Sequence, residues 1–212
     1  MINLYTWATP NGRKISIMLE ELGLDYAVSP VDLGKQEQFS AHFSAISPNH
    51  KIPAIIDTEP GQDPIVIFES GAILTYLAEK YGQFLAPHGQ ARYTAFEWLH
   101  WQTSALGPML GQLGFFAVRS QEKAPLAIAR FTEEADRLLT VMDKQLQTNT
   151  YLAGDEYSIA DIASYAWTLA ATTYLKEVLK DSLATKPALQ RWLKMVGERP
   201  AVQRGMQIPR LD

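Results

Sequence analysis

The sequence predicts a mixed α/β amino-terminal half followed by an all-helical carboxy-terminal half. Short β-branched runs alternate with amphipathic runs through the first 82 residues. The segment 82–90 interrupts this pattern with two glycines and a proline, and no strand-like run follows it. We therefore predict an α/β domain at 1–82, a linker at 83–90 and an all-helical domain at 91–212.

The first half begins with a short strand within residues 1–8 and continues with a helix. The helix is predicted because four apolar residues share one stripe and a glycine stands at the position of a carboxy-terminal cap: Ile15, Met18, Leu19, Leu22 and Gly23. A loosely alternating run over 26–33 predicts a second strand. The order up to this point is strand, helix, strand.

Two further strands are predicted at 54–57 and 65–68, where β-branched residues flank a turn-forming segment with proline and glycine. A helix over 70–81 follows, because its apolar residues recur at helical spacing. The complete order, βαβ and then ββα, is that of a thioredoxin-like domain.

The helices of the second half are predicted from their apolar spacing. The helix after the linker carries apolar residues on two sides, which fits burial within its own domain as well as burial at a subunit interface. Pro108 predicts a kink or an end of this helix, and a long amphipathic helix is predicted over 126–146. Ser158 and Asp161 fit a capping box, which gives Asp161 a structural role.

Composition limits the possible functions. The net charge of −4 and the pI of about 5.6 argue against a nucleic-acid or anionic-membrane partner. Because the chain has no cysteine, disulfides, thiolate metal sites and a protein thiol nucleophile are excluded. No metal is predicted, since the histidines lack the spacing of metal ligands: His42, His50, His88 and His100. With no leader peptide or membrane span recognised, we expect a cytoplasmic protein.

The Ile52-Pro53 bond at the entry of the third predicted strand suggests a ligand-binding backbone. An X-Pro bond adopts the cis form at modest cost, and a cis bond here would turn the main chain of Ile52 outward, where it can hydrogen-bond an extended ligand. An ordinary trans proline at the first position of a strand is the alternative.

Five short segments follow one another in the first half: 9–14 (TPNGRK), 32–35 (DLGK), 46–49 (ISPN), 51–55 (KIPAI) and 68–74 (FESGAIL). Together with the all-helical second half, they resemble the glutathione transferase superfamily. Within it the chain is similar to the bacterial nu class, relatives of the yeast nitrogen-regulating prion protein. The resemblance covers nearly the whole chain. It implies a glutathione-binding first domain, glutathione as co-substrate and a homodimer.

The resemblance also implies which residues bind glutathione. Glu69 and Ser70 would receive its glutamyl end: the helix start and the Ser70 hydroxyl bind the carboxylate, and Glu69 pairs with the ammonium. Ile52, next to Pro53, would bind the cysteinyl unit through its main chain.

Three further residues are assigned to the same site by resemblance. Gln38 and Lys51 stand where relatives contact the glycyl end, and Arg130 matches an arginine that reaches the pocket in the family. For Lys51 and Arg130, solvated surface charge is the alternative interpretation.

Thr9 and Asn11 are the candidate catalytic residues. They flank Pro10 at a predicted helix start, so a hydroxyl, an amide, backbone N–H groups and the helix dipole could stabilise one ligand thiolate. Helix capping alone would also explain these residues. Tyr5 lies on the first strand as in the tyrosine classes, but the similarity to the nu class favours Asn11 and Thr9.

The predicted function is that of a glutathione-dependent thiol–disulfide oxidoreductase or transferase, whose second substrate is a small disulfide or an electrophile. The alternative is a non-catalytic module that keeps the fold as a glutathione-sensing or protein-interaction scaffold.

Overall fold

The computed structural model describes residues 1–210 and divides the chain into two compact units. The first unit contains Met1–Gln83 together with the segment from Glu198 to the end of the described chain, and the second contains Phe84–Gly197. The sequence pattern alone places that last segment with the helical domain, whereas the structure groups it with the first unit.

A four-stranded sheet forms the centre of the first unit, with strand order β2-β1-β3-β4. The strands are β1 (Ile2–Thr6), β2 (Tyr26–Pro30), β3 (Ala54–Asp57) and β4 (Ile65–Phe68). β1 runs parallel to β2 and antiparallel to β3, which is antiparallel to β4. The predicted strands at 54–57 and 65–68 are confirmed. β2 ends three residues earlier than predicted, at Pro30, which pairs with Thr6, the last residue of β1.

Ten α-helices are found in residues 1–210. They are α1 (Pro10–Glu21), α2 (Ala41–Ile46), α3 (Ser70–Tyr81), α4 (Gly89–Trp101), α5 (Gly107–Gly114), α6 (Pro125–Thr148), α7 (Ile159–Thr172), α8 (Lys176–Ala184), α9 (Pro187–Gly197) and α10 (Pro200–Gly205). The helix predicted over 70–81 is confirmed. The thioredoxin-like first part and the helical second part together confirm the predicted fold class.

Pro108 follows directly on an irregular turn of the helical chain. A π-helical turn, Gln102–Leu106, separates α4 from α5, and Pro108 is in the first turn of α5. Proline lacks an N–H and its ring clashes with the preceding turn, which favours a π-helical turn with i→i+5 hydrogen bonds just before it. Along residues 1–210, no helix combines the length and the apolar character that a membrane span requires.

The carboxy-terminal segment returns to the first unit because α10 packs closely on α1. A Cβ at Gly205 would lie 2.6 Å from the Ile17 backbone, so only glycine permits this approach. Arg199, just before α10, binds both carboxylate oxygens of Glu21, at 2.6 and 2.8 Å. These contacts join residues that are far apart in sequence.

Candidate functional site

The loops that carry most of the predicted site residues meet at one edge of the sheet. Tyr5 on β1 lies opposite Ala54 on β3, and Ala54 lies opposite Phe68 on β4. The end of β1, the start of β3 and the end of β4 therefore share this edge. The adjoining chain carries five of the predicted residues: Thr9, Asn11, Ile52, Glu69 and Ser70.

Thr9 is the N-cap of α1, in extended backbone at φ −119°. Its Oγ1 accepts a hydrogen bond of 3.2 Å from the N–H of Gly12. The turn requires glycine at position 12, because a Cβ there would lie 2.3 Å from the Trp7 carbonyl oxygen. Pro10 occupies the first helical position, where a missing N–H costs nothing.

The start of α1 can also donate to a ligand. A hydroxyl has one proton and two lone pairs, so the bond that Thr9 accepts leaves its own O–H able to donate. Asn11, half-buried in the first turn, contributes an amide, and the positive end of the helix dipole lies at the same place. Capping and anion binding are therefore compatible at Thr9.

The Ile52-Pro53 bond is cis, as hypothesised from the sequence. The Ile52 side chain packs in an apolar cluster with Tyr5, Val31 and Phe43. Within residues 1–210, no hydrogen bond is made by the main-chain N–H or C=O of Ile52. Polar backbone groups seek partners, so this arrangement suits an extended ligand.

Tyr5 belongs to the core of the first unit. Its ring packs against His42 and Phe43, with centroid distances of 5.8 and 6.3 Å, and the residue is 8% exposed. The same apolar cluster fixes α2, a helix that the sequence pattern did not reveal.

Gln38 lies in a 3₁₀ turn, Glu37–Phe39, after β2. Its side-chain Oε1 is buried and has no hydrogen-bond partner within residues 1–210, while its main-chain oxygen is 3.3 Å from the His50 Nδ1. Lys51 is exposed, and its carbonyl accepts a hydrogen bond of 2.9 Å from Ser47. Both residues lie in loops next to the sheet edge that carries Ile52.

Glu69 has an unusual backbone. It is the N-cap of α3 with φ +72° and ψ 116°, a region that non-glycine residues rarely adopt. Residues held in such conformations cost about 1–3 kcal/mol and cluster at ligand-binding sites. The Glu69 side chain is exposed, and Ser70, the first residue of α3, is buried. The two residues predicted for the glutamyl end are thus adjacent at a helix start.

Lys14 contacts one of the predicted site residues, and the sequence analysis did not identify it. It is only 2% exposed, and its Nζ donates to Ser70 Oγ at 3.2 Å, which connects α1 with the start of α3. Burial lowers the pKa of Lys14 to about 7, although the nearby Glu69 carboxylate acts in the opposite direction. A lysine four residues before Met18, on the apolar face of the helix, is the signal that could have revealed it.

Arg130 lies on α6 in the second unit, where its side chain is exposed, and its predicted role stays a prediction. Within residues 1–210, no three His, Asp or Glu side chains lie close enough together to hold a metal ion.

Comparisons with known proteins agree with this architecture. A family model for the N-terminal domain of glutathione S-transferases matches residues 8–80, and one for the C-terminal domain matches residues 106–200. Disulfide-bond oxidoreductase YfcG of Escherichia coli (strain K12) is 47% identical over 203 residues, which cover 95% of this chain and 92% of that protein.

Two solved structures are also similar over nearly the whole chain. A glutathione transferase family member from Pseudomonas fluorescens pf-5, with two glutathione bound, is 43% identical with a TM-score of 0.93 over 98% of this chain and 93% of that one. A glutathione transferase from Pseudomonas putida, with one glutathione disulfide bound per subunit, is 42% identical with a TM-score of 0.93 over 98% and 91%. The chain therefore belongs to the glutathione S-transferase family.

Proposed function

We propose that this protein is a glutathione-dependent thiol–disulfide oxidoreductase in which Asn11 and Thr9 stabilise the thiolate of bound glutathione. The observation that carries the proposal is the meeting of two helix starts, those of α1 and α3, with the main chain of Ile52 at one sheet edge. Relatives support it, since one is named a disulfide-bond oxidoreductase and another was solved with glutathione disulfide.

Each part of glutathione has a proposed partner in the first unit. The first-turn N–H groups of α3 and the Ser70 hydroxyl bind the glutamyl carboxylate, and Glu69 pairs with the ammonium. The main chain of Ile52, held by Pro53, binds the cysteinyl unit. Gln38 and Lys51 bind the glycyl end, where the lysine acts as a point charge.

Activation of the sulfur is the catalytic step that the protein assists. A free thiol with a pKa of about 8.5 is only a few per cent thiolate at neutral pH. The thiol pKa falls by one unit for roughly each 1.4 kcal/mol by which Asn11, Thr9 and the helix dipole stabilise the anion. Neither side chain needs to act as a base.

The proposed reaction uses two glutathione molecules, because the protein has no cysteine of its own. The bound thiolate attacks one sulfur of a disulfide, a new S–S bond forms, and the second sulfur leaves as a thiolate that takes up a proton. A second glutathione thiolate then attacks the glutathione sulfur of this mixed disulfide. Glutathione disulfide and two substrate thiols are the products. The same thiolate could instead attack an electrophile, which would give conjugation.

We also propose that the protein is a homodimer. β4 is an edge strand of the sheet, and three of its residues are exposed although apolar: Ile65, Val66 and Phe68. Soluble monomers rarely leave an apolar edge strand uncovered. In analytical ultracentrifugation, wild type should sediment as a dimer and Val66→Glu should shift toward the monomer. Monomeric wild type at micromolar concentration would exclude this proposal.

The test of the activity is reduction of a small mixed disulfide by glutathione, with binding measured in parallel. Asn11→Ala should keep its affinity for glutathione disulfide but lose about tenfold in rate at neutral pH, the effect of one pKa unit at the thiol. Asn149→Ala, a change of the same residue type in the second unit, should match wild type. Wild-type binding without turnover would favour a scaffold, and no binding at millimolar concentration would reject the site.

A further inference from the structure

Lys14 lies on the buried face of α1, one turn after Asn11. Lysine is almost never fully buried without a partner, because removing an ammonium from water is costly. An apolar side chain of similar length would fill the same space without this cost. Packing alone therefore does not account for a lysine at this position.

We propose that Lys14 is a positioning residue for the glutamyl carboxylate of glutathione, acting by directing the Ser70 hydroxyl proton toward that carboxylate. This inference rests on the proposed function, in which Ser70 binds the glutamyl end. Lys14 itself need not touch the ligand. Its contact with Ser70 Oγ, at 3.2 Å, carries the argument.

The direction of this hydrogen bond follows from the donor and acceptor capacity of the two groups. A charged lysine has three protons and no lone pair, so the Ser70 oxygen must accept from it. The Ser70 proton then points away from Lys14 and remains available to an anion. A neutral amine has a lone pair and can accept from Ser70 instead, which turns that proton inward. The charge on Lys14 thus sets the polarity of the Ser70 hydroxyl.

The surroundings of Lys14 bring the change between its charged and neutral forms close to neutral pH. Its pKa is lowered to about 7 by burial, against the opposing effect of Glu69. The other charged groups on α1 and on the elements packed against it are Arg13, Glu20, Glu21, Glu79, Lys80, Arg199 and Arg204. β1 contributes the titratable Tyr5 and no charged side chain, and α3 also contributes the titratable Tyr76 and Tyr81. The charge on the nearby Glu69 carboxylate opposes the effect of burial on the pKa of Lys14.

A carboxylate bound at Ser70 should favour the charged form of Lys14, since an opposite charge nearby raises the pKa of an amine. Binding above the ligand-free pKa should therefore take up a proton, and affinity should decrease as the pH rises through that value. Well below it, Lys14 is already charged and binding should be independent of pH.

The experiment is calorimetric titration with S-methylglutathione, which keeps the glutamyl end but has no ionisable thiol. The titrations are made at about pH 6 and about pH 8, on either side of the Lys14 pKa. Each is repeated in two buffers of different ionisation enthalpy, and the difference in heat gives the number of protons taken up on binding. Wild type should take up a proton at the higher pH only. Its affinity should fall by up to about tenfold per pH unit above the pKa.

Two variants separate positioning from a structural role. Lys14→Met should bind about tenfold more weakly at the lower pH, the value of one charge-assisted hydrogen bond, while its melting temperature stays equal or rises. Lys14→Arg, which stays charged, should keep tight binding at both pH values and take up no proton. If Lys14→Met does not fold, Lys14→Arg carries the test. Lys144→Met, an exposed lysine on α6, is the matched control and should behave as wild type.

The outcomes distinguish this inference from the proposed function. If Lys14→Met and Lys14→Arg both bind S-methylglutathione with the affinity and the proton uptake of wild type, Lys14 has no positioning role. The glutathione site would still stand. Lower melting temperature with unchanged binding in Lys14→Met would make it a structural residue. No binding to wild type would overturn the proposed function, and this inference with it.

Discussion

The indole N–H of Trp192 on α9 donates to Asp161 Oδ1 at 2.8 Å, and this bond joins two helices through a fully buried carboxylate. The Leu152 N–H donates to the same oxygen at 3.0 Å. The second oxygen, Oδ2, accepts from the N–H of Ser158 at 3.1 Å and completes the capping box at the start of α7. One aspartate therefore caps α7 and anchors α9 and the loop at Leu152.

Asp161→Asn should destabilise the protein by about 1–3 kcal/mol, because an amide nitrogen cannot accept the bond from Ser158. Asp161→Ala should cost more, since it leaves three buried N–H groups without an acceptor. Ser158→Ala, which removes the other half of the capping box, should cost only about 1 kcal/mol. Urea denaturation of the three variants measures this order. Equal losses of stability in the three variants would show that Asp161 does no more than cap α7.

The ionisation of Asp161 should make the stability of the protein depend on pH. Burial raises its pKa to about 6, although its hydrogen bonds favour the anion. The folded state therefore binds a proton more tightly than the unfolded state, so this contribution to stability is full below the unfolded pKa of 3.8 and is lost as pH rises through about 6. The free-energy gap between wild type and Asp161→Asn should accordingly narrow from pH 4 to about pH 6.

Gly12→Ala should disrupt the turn at the start of α1. The added Cβ would lie 2.3 Å from the Trp7 carbonyl oxygen and 2.4 Å from Thr6 Oγ1, so the turn must shift. Overpacking of this kind costs about 1–3 kcal/mol, and glutathione binding should weaken with it. Gly34→Ala is the control, because its Cβ would meet only the Asp32 side chain, at 3.2 Å. Similar melting temperatures for the two variants would contradict this account.

The fold was predictable where it depends on neighbouring residues. The strands at 54–57 and 65–68, the helix at 70–81 and the Ser158–Asp161 capping box follow from spacing within a few positions. Helix α2, of six residues, is too short to show a period.

Contacts between distant residues could not be predicted in this way. The Lys14–Ser70 bond spans 56 positions and the Arg199–Glu21 pair spans 178. No local pattern encodes such pairings, because they arise only when the elements pack. For the same reason, the resemblance predicted a ligand-binding role for Ser70, whereas the sequence analysis did not identify the lysine that donates to it.

Asp57→Asn should destabilise the first unit in a pH-dependent way. Burial opposes ionisation of Asp57, but hydrogen bonds from Lys80 and from Tyr76, at 2.8 Å, outweigh it and lower the pKa of the carboxyl. Its contribution to stability is therefore present above the unfolded pKa of 3.8 and is lost as pH falls through the lower folded value.

At neutral pH we expect Asp57→Asn to cost about 1–3 kcal/mol, the value of a hydrogen bond to a charged group, and the cost should disappear in acid. Glu59→Gln removes the more exposed partner of the same lysine, so it should cost less than about 1 kcal/mol. Denaturation at neutral and acid pH compares them. A larger loss of stability in Glu59→Gln than in Asp57→Asn would contradict this account, in which the more buried acid contributes more to stability.

Thr9 should contribute to stability and to sulfur activation separately. Thr9→Ala removes the cap on Gly12 and should cost about 1 kcal/mol, whereas Thr9→Ser keeps the hydroxyl and most of that stability. If the Thr9 O–H donates to the bound sulfur as proposed, its loss in Thr9→Ala should also raise the pKa of bound glutathione by up to about one unit. The pH dependence of thiolate absorbance in the complex measures this shift.

Ser40→Ala provides the control for capping, because Ser40 Oγ accepts from the Phe43 N–H at 3.2 Å and so caps α2 as Thr9 caps α1. Ser40→Ala should lose similar stability and leave the thiol pKa unchanged. If the thiol titrates alike in Thr9→Ala, Thr9→Ser and wild type, the Thr9 hydroxyl only caps the helix. Stabilisation of the thiolate would then rest on Asn11 and the N–H groups of the first turn, which is where Asn11→Ala would have its full effect.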